Sequence, residues 1–443
     1  MYIFFMSLGC DKNLVDSEEM LGALVSHGFE VTDDESQADV IVVNTCCFIH
    51  DAKEESIQAI LEMADYKTKG NLKALIVTGC LAQRYKEEIT KEIPEVDAVL
   101  GTNSQAALLD AVDEALKGKV SHVFTPLEGI PQMPGKRMIT TGGFYEYLKI
   151  AEGCNKHCTY CIIPYARGRV RSRKIAHVMD EVHALAAKGY KEVVLTGIHL
   201  SSYGVDFPAE EKETLLSLIR AVHEVEGIER IRLGSLEPGI ITEEFVQSIA
   251  ALPKMCPHFH LSLQSGCDTT LERMNRRYRS AEYAEKCGLL RKYLGNPALT
   301  TDVIVGFPME TEEDFQDSYD FVESIHFYET HIFKYSRRHG TKAAAMSGQL
   351  TEAQKAVRSD KMLALNEQHA KEYEKSMLGG ELKVLLEEEV EINGEQWYIG
   401  HSMEYIKTAV KKQDNYSVND IITVKAEEFL EEHTLTGEVL GAE

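Results

Sequence analysis

At 443 residues the chain exceeds what one hydrophobic core usually serves, so two or three domains are expected. Its apolar content of 44% is that of a soluble globular protein, and no apolar run approaches the roughly 20 residues of a membrane helix. A formal net charge of −24 weighs against indiscriminate nucleic-acid binding, while leaving room for a local basic groove or a basic protein partner. The N-terminal MYIFFMSLGC is too short and lacks the basic leader of a signal peptide, so a cytoplasmic location without a membrane role is expected. Ten cysteines in such a setting argue for metal or redox use rather than disulfides.

Three short, continuously apolar runs come first: YIFFMSLGC ending at Cys10, DVIVVNTC at Cys46 and KALIVTGC at Cys80. Each reads as a strand buried on both faces, and helical patterns such as VDSEEMLGALVSHG and KEESIQAILEMADYK separate them. The alternation predicts a parallel α/β sheet with right-handed crossovers. All three cysteines then fall at the carboxyl edge, where open sheets place their ligands. One such cysteine is ordinary, since Cys is among the most buried residue types; three in register point to a cluster site. Cys47 is expected on the opposite face as a packed thiol, and Cys256, Cys267 and Cys287 show no ligand spacing.

Residues 117–137, with three of the eleven prolines and no periodicity, read as a linker. A second alternation follows in YEYLKIAEG, KEVVLTGI, RIRLGSLEP, FHLSLQSG, ALTTDVIVGFP and ETHIFKYS, with amphipathic segments between. Six β/α units predict an open partial barrel whose strand ends carry the active site. A helical stretch around LTEAQKAVRSDKMLALNEQHAKEYEKSM leads to short alternating runs, which read as a small antiparallel β-barrel. The expected domains are residues 1–120, 138–375 and 376–443.

The run EGCNKHCTYCIIP places Cys154, Cys158 and Cys161 in a C-x3-C-x2-C spacing. A cubic 4Fe–4S cluster normally takes four cysteines, so three leave one iron open to a small molecule. A structural zinc loop needs a fourth Cys or His nearby and is usually built from C-x2-C pairs, and a chance group of buried thiols is the plainest alternative. The loop closely resembles that of radical S-adenosylmethionine (radical SAM) enzymes. With SLGCDKNLVDSE, VNTCCFIHDAKEESI, VTGCLAQRY and KIAEGCNKHCTYCIIP all in view, nearly the whole chain resembles the radical SAM methylthiotransferases.

That resemblance implies an N-terminal domain with an auxiliary cluster, a central radical SAM domain and a C-terminal TRAM domain. It implies two 4Fe–4S clusters, one on Cys154, Cys158 and Cys161 and one on Cys10, Cys46 and Cys80. The implied reaction transfers a CH3–S group onto an unactivated C–H bond and needs a one-electron reductant. The loop cluster cleaves S-adenosylmethionine to a radical that removes hydrogen, the auxiliary cluster donates sulfur, and a second S-adenosylmethionine methylates it. The SAM contacts implied are Tyr160 against the adenine, Gly197 at the methionine end, and Glu237, Gln264 and Asp302 at strand ends. A loop aromatic, a tight strand exit and helix capping are the plainer readings of these residues. A monomer is expected, and a non-catalytic iron–sulfur or RNA-binding protein is the remoter alternative.

The substrate splits the resemblance. Up to about Pro164 the wording is closest to the branch that modifies an aspartate of a small-subunit ribosomal protein. From about Tyr165, IPYARGRVRSR, VVLTGIHLSSYG and GHSMEYIKTAV are closest to the branch that modifies threonylcarbamoyl-adenosine beside the tRNA anticodon. Because the radical's surroundings lie in the second part, tRNA is the preferred substrate and the ribosomal protein the alternative. Against tRNA stands the acidic tail, residues 381–443, unless Lys407, Lys411 and Lys412 share one face. Two basic runs, Arg167 to Lys174 and Arg273 to Arg279, read equally as anion clamps or as solvated ion pairs. Ser262, Met309, Arg337 and His339 depart from the family pattern, and Met309 falls at a turn that prefers positive φ.

Overall fold

A computed structural model describes residues 1–131, 136–208, 210–211 and 213–442. The first six strands are β1 Tyr2–Ser7, β2 Glu30–Val31, β3 Val40–Thr45, β4 Ala74–Thr78, β5 Ala98–Leu100 and β6 Ser121–Val123. They form one parallel sheet in the order β2-β1-β3-β4-β5-β6. Every residue of β3 and β4 is buried, because successive side chains enter different layers. Val40, Val42 and Ile76 pack with the helices Asp11–Ser26 and Leu108–Leu116, whereas Ile41, Val43 and Val77 pack with His50–Ala64 and Gly79–Glu92. That double cover is why the runs are continuously apolar. β6 lies inside the segment expected as a linker, and its SHV is too short to show a period; residues 132–135 of that segment lie outside the described residues.

The next strands are β7 Tyr145–Glu152, β8 Arg171–Ser172, β9 Glu192–Gly197, β10 Arg230–Leu233, β11 His258–His260, β12 Ala298–Val305 and β13 Glu329–Lys334. β7, β9 and β10 are parallel, β8 is a short antiparallel edge, and β11, β12 and β13 form a second parallel group. Isolated parallel bridges at Ile231–Met255 and Leu236–Leu261 join the two groups across β10 and β11. Six parallel strands thus make the expected open partial barrel, with its main core between strands and outer helices.

The helix Glu352–Ser376 begins in a capping box of Thr351 and leads to β14 Glu381–Ile392, β15 Glu395–Ser402, β16 Lys407–Lys411, β17 Ile421–Glu431 and β18 Thr434–Ala442. These close into a barrel in the order β14-β15-β16-β18-β17. All pairings are antiparallel except β16 with β18, a departure from the wholly antiparallel expectation. An odd number of strands cannot close a ring by alternation alone, so one neighbouring pair must run the same way.

Buried charges join the layers. Arg137 meets Glu18, Glu146 and Glu181, and Lys149 of β7 meets Asp16 of the helix Asp11–Ser26 and Glu152. Arg230 Nη2 donates to the Lys383 carbonyl at 2.7 Å and Arg232 Nη1 to the Met403 carbonyl at 3.0 Å, seating the small barrel on β10.

Candidate functional site: two cysteine triads joined by Arg167

Cys10, Cys46 and Cys80 follow three adjacent strands, β1, β3 and β4, on their shared carboxyl edge. Cys10 is the N-cap of the helix Asp11–Ser26, and Cys80 is in the first turn of the helix Gly79–Glu92. Two helix N-termini therefore present their positive dipole ends to the thiol group. Asn13 Nδ2 ties this edge together by donating to the carbonyls of Leu8 at 2.7 Å and Thr45 at 3.2 Å. Ser56 Oγ accepts from the Cys46 amide at 3.0 Å and donates to the Cys46 carbonyl at 2.9 Å. Gly9 has φ +95°, and a Cβ there would lie 2.7 Å from Cys46 Cβ, so only glycine lets the first turn pass the second cysteine. Burial pushes the Cys46 thiol up to about 11; Cys80 is also raised by burial, which the neighbouring Arg167 partly offsets.

The second triad is held from the far side of the barrel. Thr159 N donates to the Met274 carbonyl at 3.0 Å, Asn275 Nδ2 to the His157 carbonyl at 2.8 Å, and Arg338 Nη1 to the Tyr160 carbonyl at 2.8 Å. Arg276 Nη1 donates to Cys158 Sγ at 3.3 Å, and the Lys156 amide donates to Cys154 Sγ at 3.4 Å. Gly153, at φ +70°, has no room for a side chain: a Cβ would stand 1.9 Å from the Arg169 carbonyl oxygen. Cys154, His157 and Tyr165 line a cavity of about 490 Å3. Burial pushes Cys154 to about 11 and Cys161 to about 12.

Arg167 links the two triads. It ends the short helix Ile163–Arg167, which starts two residues after Cys161, and it is 1% exposed. Its Nε donates to Cys80 Sγ at 3.2 Å, Nη1 to Asp16 at 2.6 Å and Glu152 at 3.2 Å, and Nη2 to Asn13 Oδ1 at 2.6 Å. The guanidinium thus compensates buried negative charge at one triad from the chain segment that carries the other.

Of the expected SAM contacts, Gly197 ends β9 and Glu237 and Gln264 follow β10 and β11, whereas Asp302 lies within β12 rather than at its end and Tyr160 lies in the loop after β7. Tyr160 is buried, donates its hydroxyl to Gln264 Oε1 at 2.9 Å and meets Phe307 edge-on. Gln264 adopts φ 75° and its amide donates to the Asp302 carbonyl at 2.8 Å. Asp302 pairs with His260 at 3.2 Å. Burial alone would raise the Glu237 pKa, but His199, Arg276 at 3.2 Å and Lys156 at 2.7 Å hold it down at about 2. Gly197 faces its neighbour β7, where a Cβ would meet the Ala151 carbonyl oxygen at 3.2 Å.

The donor sets fit iron–sulfur clusters. Thiols converge with cationic or N–H donors on Cys80, Cys154 and Cys158, as thiolate ligands require. Among the described residues, neither triad has its three sulfurs gathered within 4.8 Å, so neither is drawn in to the size of a single-ion site. Beside the loop, Lys156, His199 and Glu237 line a cavity of about 560 Å3, and the partly buried His199 turns Nε2 toward Glu237 Oε2 at 3.6 Å. Polar groups aimed into such space fit the amine, carboxylate and ribose of S-adenosylmethionine.

Sequence reasoning missed Asn13, Asp16, Lys149, Glu152 and Arg338. The acid and lysine spacings in NLVDSE and LKIAE are signals that only a buried ion network makes informative. Of the basic runs, Arg167 and Arg276 reach cysteine sulfurs, while Arg173 pairs with Glu181 and Arg273 with Asp314. Cys47, Cys256, Cys267 and Cys287 are buried in packed layers. Met309 has the positive φ expected of its turn, 63°. Lys411 and Lys412 are paired with Glu395 and Glu389, so they do not form the free basic face that an RNA role requires.

Residues 2–101 match the family described as "Uncharacterized protein family UPF0004", and residues 148–322 match the "Radical SAM superfamily". The chain is 47% identical to the ribosomal protein uS12 methylthiotransferase RimO of Lachnoclostridium phytofermentans, over 87% of this chain and 88% of that one. The protein of the same name from Clostridioides difficile is 38% identical over 98% of both chains. Among solved structures, the radical S-adenosylmethionine methyltransferase TsrM from Kitasatospora setae has a like fold, with TM-score 0.56 and 16% identity, over 77% of this chain and 76% of that one. The relatives named for uS12 extend through the C-terminal two thirds, so the tRNA preference drawn from the wording after Tyr165 is not supported. The chain belongs to the radical S-adenosylmethionine methylthiotransferases, enzymes that work with 4Fe–4S clusters and S-adenosylmethionine.

Proposed function

We propose that this enzyme inserts a methylthio group into an aspartyl side chain of the small-subunit ribosomal protein uS12. The observation that carries the reading is similarity to enzymes named for that protein over as much as 98% of the chain. Charge supports it: residues 381–443 hold 5 Lys against 15 Asp or Glu, and two of the lysines are spent on neighbouring glutamates. Such a surface suits a basic protein better than RNA phosphates. Residues 1–120 serve as the auxiliary-cluster domain, 138–375 as the radical SAM domain and 376–443 as the docking barrel.

Cys154, Cys158 and Cys161 would hold one cluster and Cys10, Cys46 and Cys80 the other. When bound, these groups and S-adenosylmethionine supply the radical, the sulfur and the methyl group. The chain's own work is electrostatic and steric. Arg276 donates to the Cys158 sulfur, the Lys156 amide favours the thiolate at Cys154 and Arg167 does so at Cys80, and binding at Cys46, Cys80, Cys154 and Cys161 must displace thiol protons that burial holds tightly. The Tyr160–Gln264 pair would present a flat, water-free wall to the adenine, and the Glu237 carboxylate, ionised at any working pH, would accept from the ribose hydroxyls.

The test offers the anaerobically reconstituted enzyme both uS12 and threonylcarbamoyl-adenosine-containing tRNA, and finds by mass spectrometry which gains methylthio mass. Mass on uS12 is expected; mass on tRNA alone would overturn the reading.

A further inference from the structure

Outside both cysteine triads, the end of the helix Glu312–Ile325 meets the long helix Glu352–Ser376. His326 caps the first in the left-handed conformation, φ 54° and ψ 67°, an unusual state for a residue with a side chain. It brings the ring to 4.9 Å, centroid to centroid, from His369 on the second helix. His369 is 2% exposed, and neither ring nitrogen has a hydrogen-bond partner. A buried imidazole normally satisfies at least one nitrogen, so this pair of orphans needs a partner that the polypeptide does not supply. Glu372 lies three residues on, over the same face of the helix, with Oε2 3.8 Å from His326 Nδ1. Its Oε1 accepts from Gln368 at 2.8 Å, which orients the carboxylate. One ligand atom from each of His326, His369 and Glu372 lies within 4.8 Å of the others, beside a cavity of about 320 Å3.

We propose that His326, His369 and Glu372 bind a single divalent transition-metal ion of the zinc class, with a fourth position open to the cavity. Two imidazoles and a carboxylate are a donor set that zinc accepts, at about 2.0–2.1 Å from each ligand atom. Such ligands stand about 3.3 Å apart, so closure needs side-chain movements of only about 1 Å. Burial holds His369 below its ordinary pKa, which keeps it neutral and able to ligate. Arg291, which also lines the cavity, does not compete, because its Nη2 donates to the carbonyls of Ile325 and His326. The ion would pin the barrel's last helix to the helix that leads into the C-terminal barrel. Two other groupings have the same ligand types but not the same need. His433 already bonds Glu374 at 2.8 Å and Glu367 at 3.1 Å, and His260 already bonds Thr300 at 3.0 Å and pairs with Asp302 inside the barrel.

The test uses the full chain with its clusters reconstituted anaerobically, titrated with Zn2+ alone and then desalted. One zinc per chain is expected in addition to the iron, and its X-ray absorption should show nitrogen and oxygen neighbours without sulfur. Glu372→Gln and His326→Asn sit at exposed side chains and keep the helices; each should retain wild-type iron and circular dichroism while weakening zinc at least tenfold. Asn also tolerates the left-handed backbone. No retained zinc, sulfur neighbours at about 2.3 Å, or variants that hold zinc as tightly as the wild type would each overturn the proposal.

Discussion

Replacing Arg167 by Lys keeps one buried positive charge but removes the planar fork that reaches four partners. A single ammonium placed at Asp16 cannot also hold Asn13 Oδ1 and Cys80 Sγ, which lie 2.6 Å and 3.2 Å from different guanidinium nitrogens. A neutral hydrogen bond is worth about 1 kcal/mol and one with a charged partner about 1.5–3 kcal/mol, so the loss is about 3 kcal/mol. Arg167 is 1% exposed, so water does not replace the missing contacts. A loss of about 3 kcal/mol raises the unfolding constant about a hundredfold. Urea unfolding of the cluster-free chain, followed by far-ultraviolet circular dichroism, measures it against Arg169→Lys, an exposed neighbour that should change stability by less than about 0.5 kcal/mol. In the reconstituted enzyme, Arg167→Lys should cleave S-adenosylmethionine normally, because Arg276 still serves Cys158, while methylthio product falls. If Arg167→Lys unfolds like Arg169→Lys and makes normal product, the linking role is wrong.

Changing Cys10, Cys46 and Cys80 to Ala should abolish sulfur insertion and leave SAM cleavage intact, whereas changing Cys154, Cys158 and Cys161 should abolish both; iron content and 5′-deoxyadenosine yield measure the difference. Tyr160→Phe removes the 2.9 Å bond to Gln264 and leaves a buried acceptor unpaired, costing about 1–3 kcal/mol and weakening SAM binding in a calorimetric titration. Met309→Gly relieves a backbone at φ 63°. Left-handed strain of about 1–2 kcal/mol outweighs the added unfolded-state entropy of about 0.4–1 kcal/mol, so a small rise in Tm is expected and a fall would contradict it. Glu237 has its folded pKa depressed from 4.5 to about 2, so its stabilisation is complete above pH 4.5 and drains away as pH falls toward 2. Glu237→Gln should flatten the stability profile across that window; an unchanged acid limb would refute the assignment.

The sequence by itself determined the architecture, because that rests on local rules, and the reaction class, through its motifs' resemblance to the radical SAM methylthiotransferases. Thiol spacing within one loop fixes how many ligands it offers, and continuous apolar runs ending in Cys10, Cys46 and Cys80 fix a parallel sheet with a cysteine edge. Only the tertiary structure decided which charged residues matter. Arg167 and Arg276 looked like their neighbours Arg169 and Arg277 in the chain, yet burial and a sulfur atom at hydrogen-bond distance separate them. Asp16 becomes the partner of Lys149 and Arg167, each more than a hundred residues away, only when the first sheet docks on the barrel. The tail was legible as a β-barrel from its alternation, but its parallel β16–β18 closure follows from ring geometry that no single strand encodes. His326 and His369 likewise meet only because two helices cross, so no spacing rule along the chain brings them together.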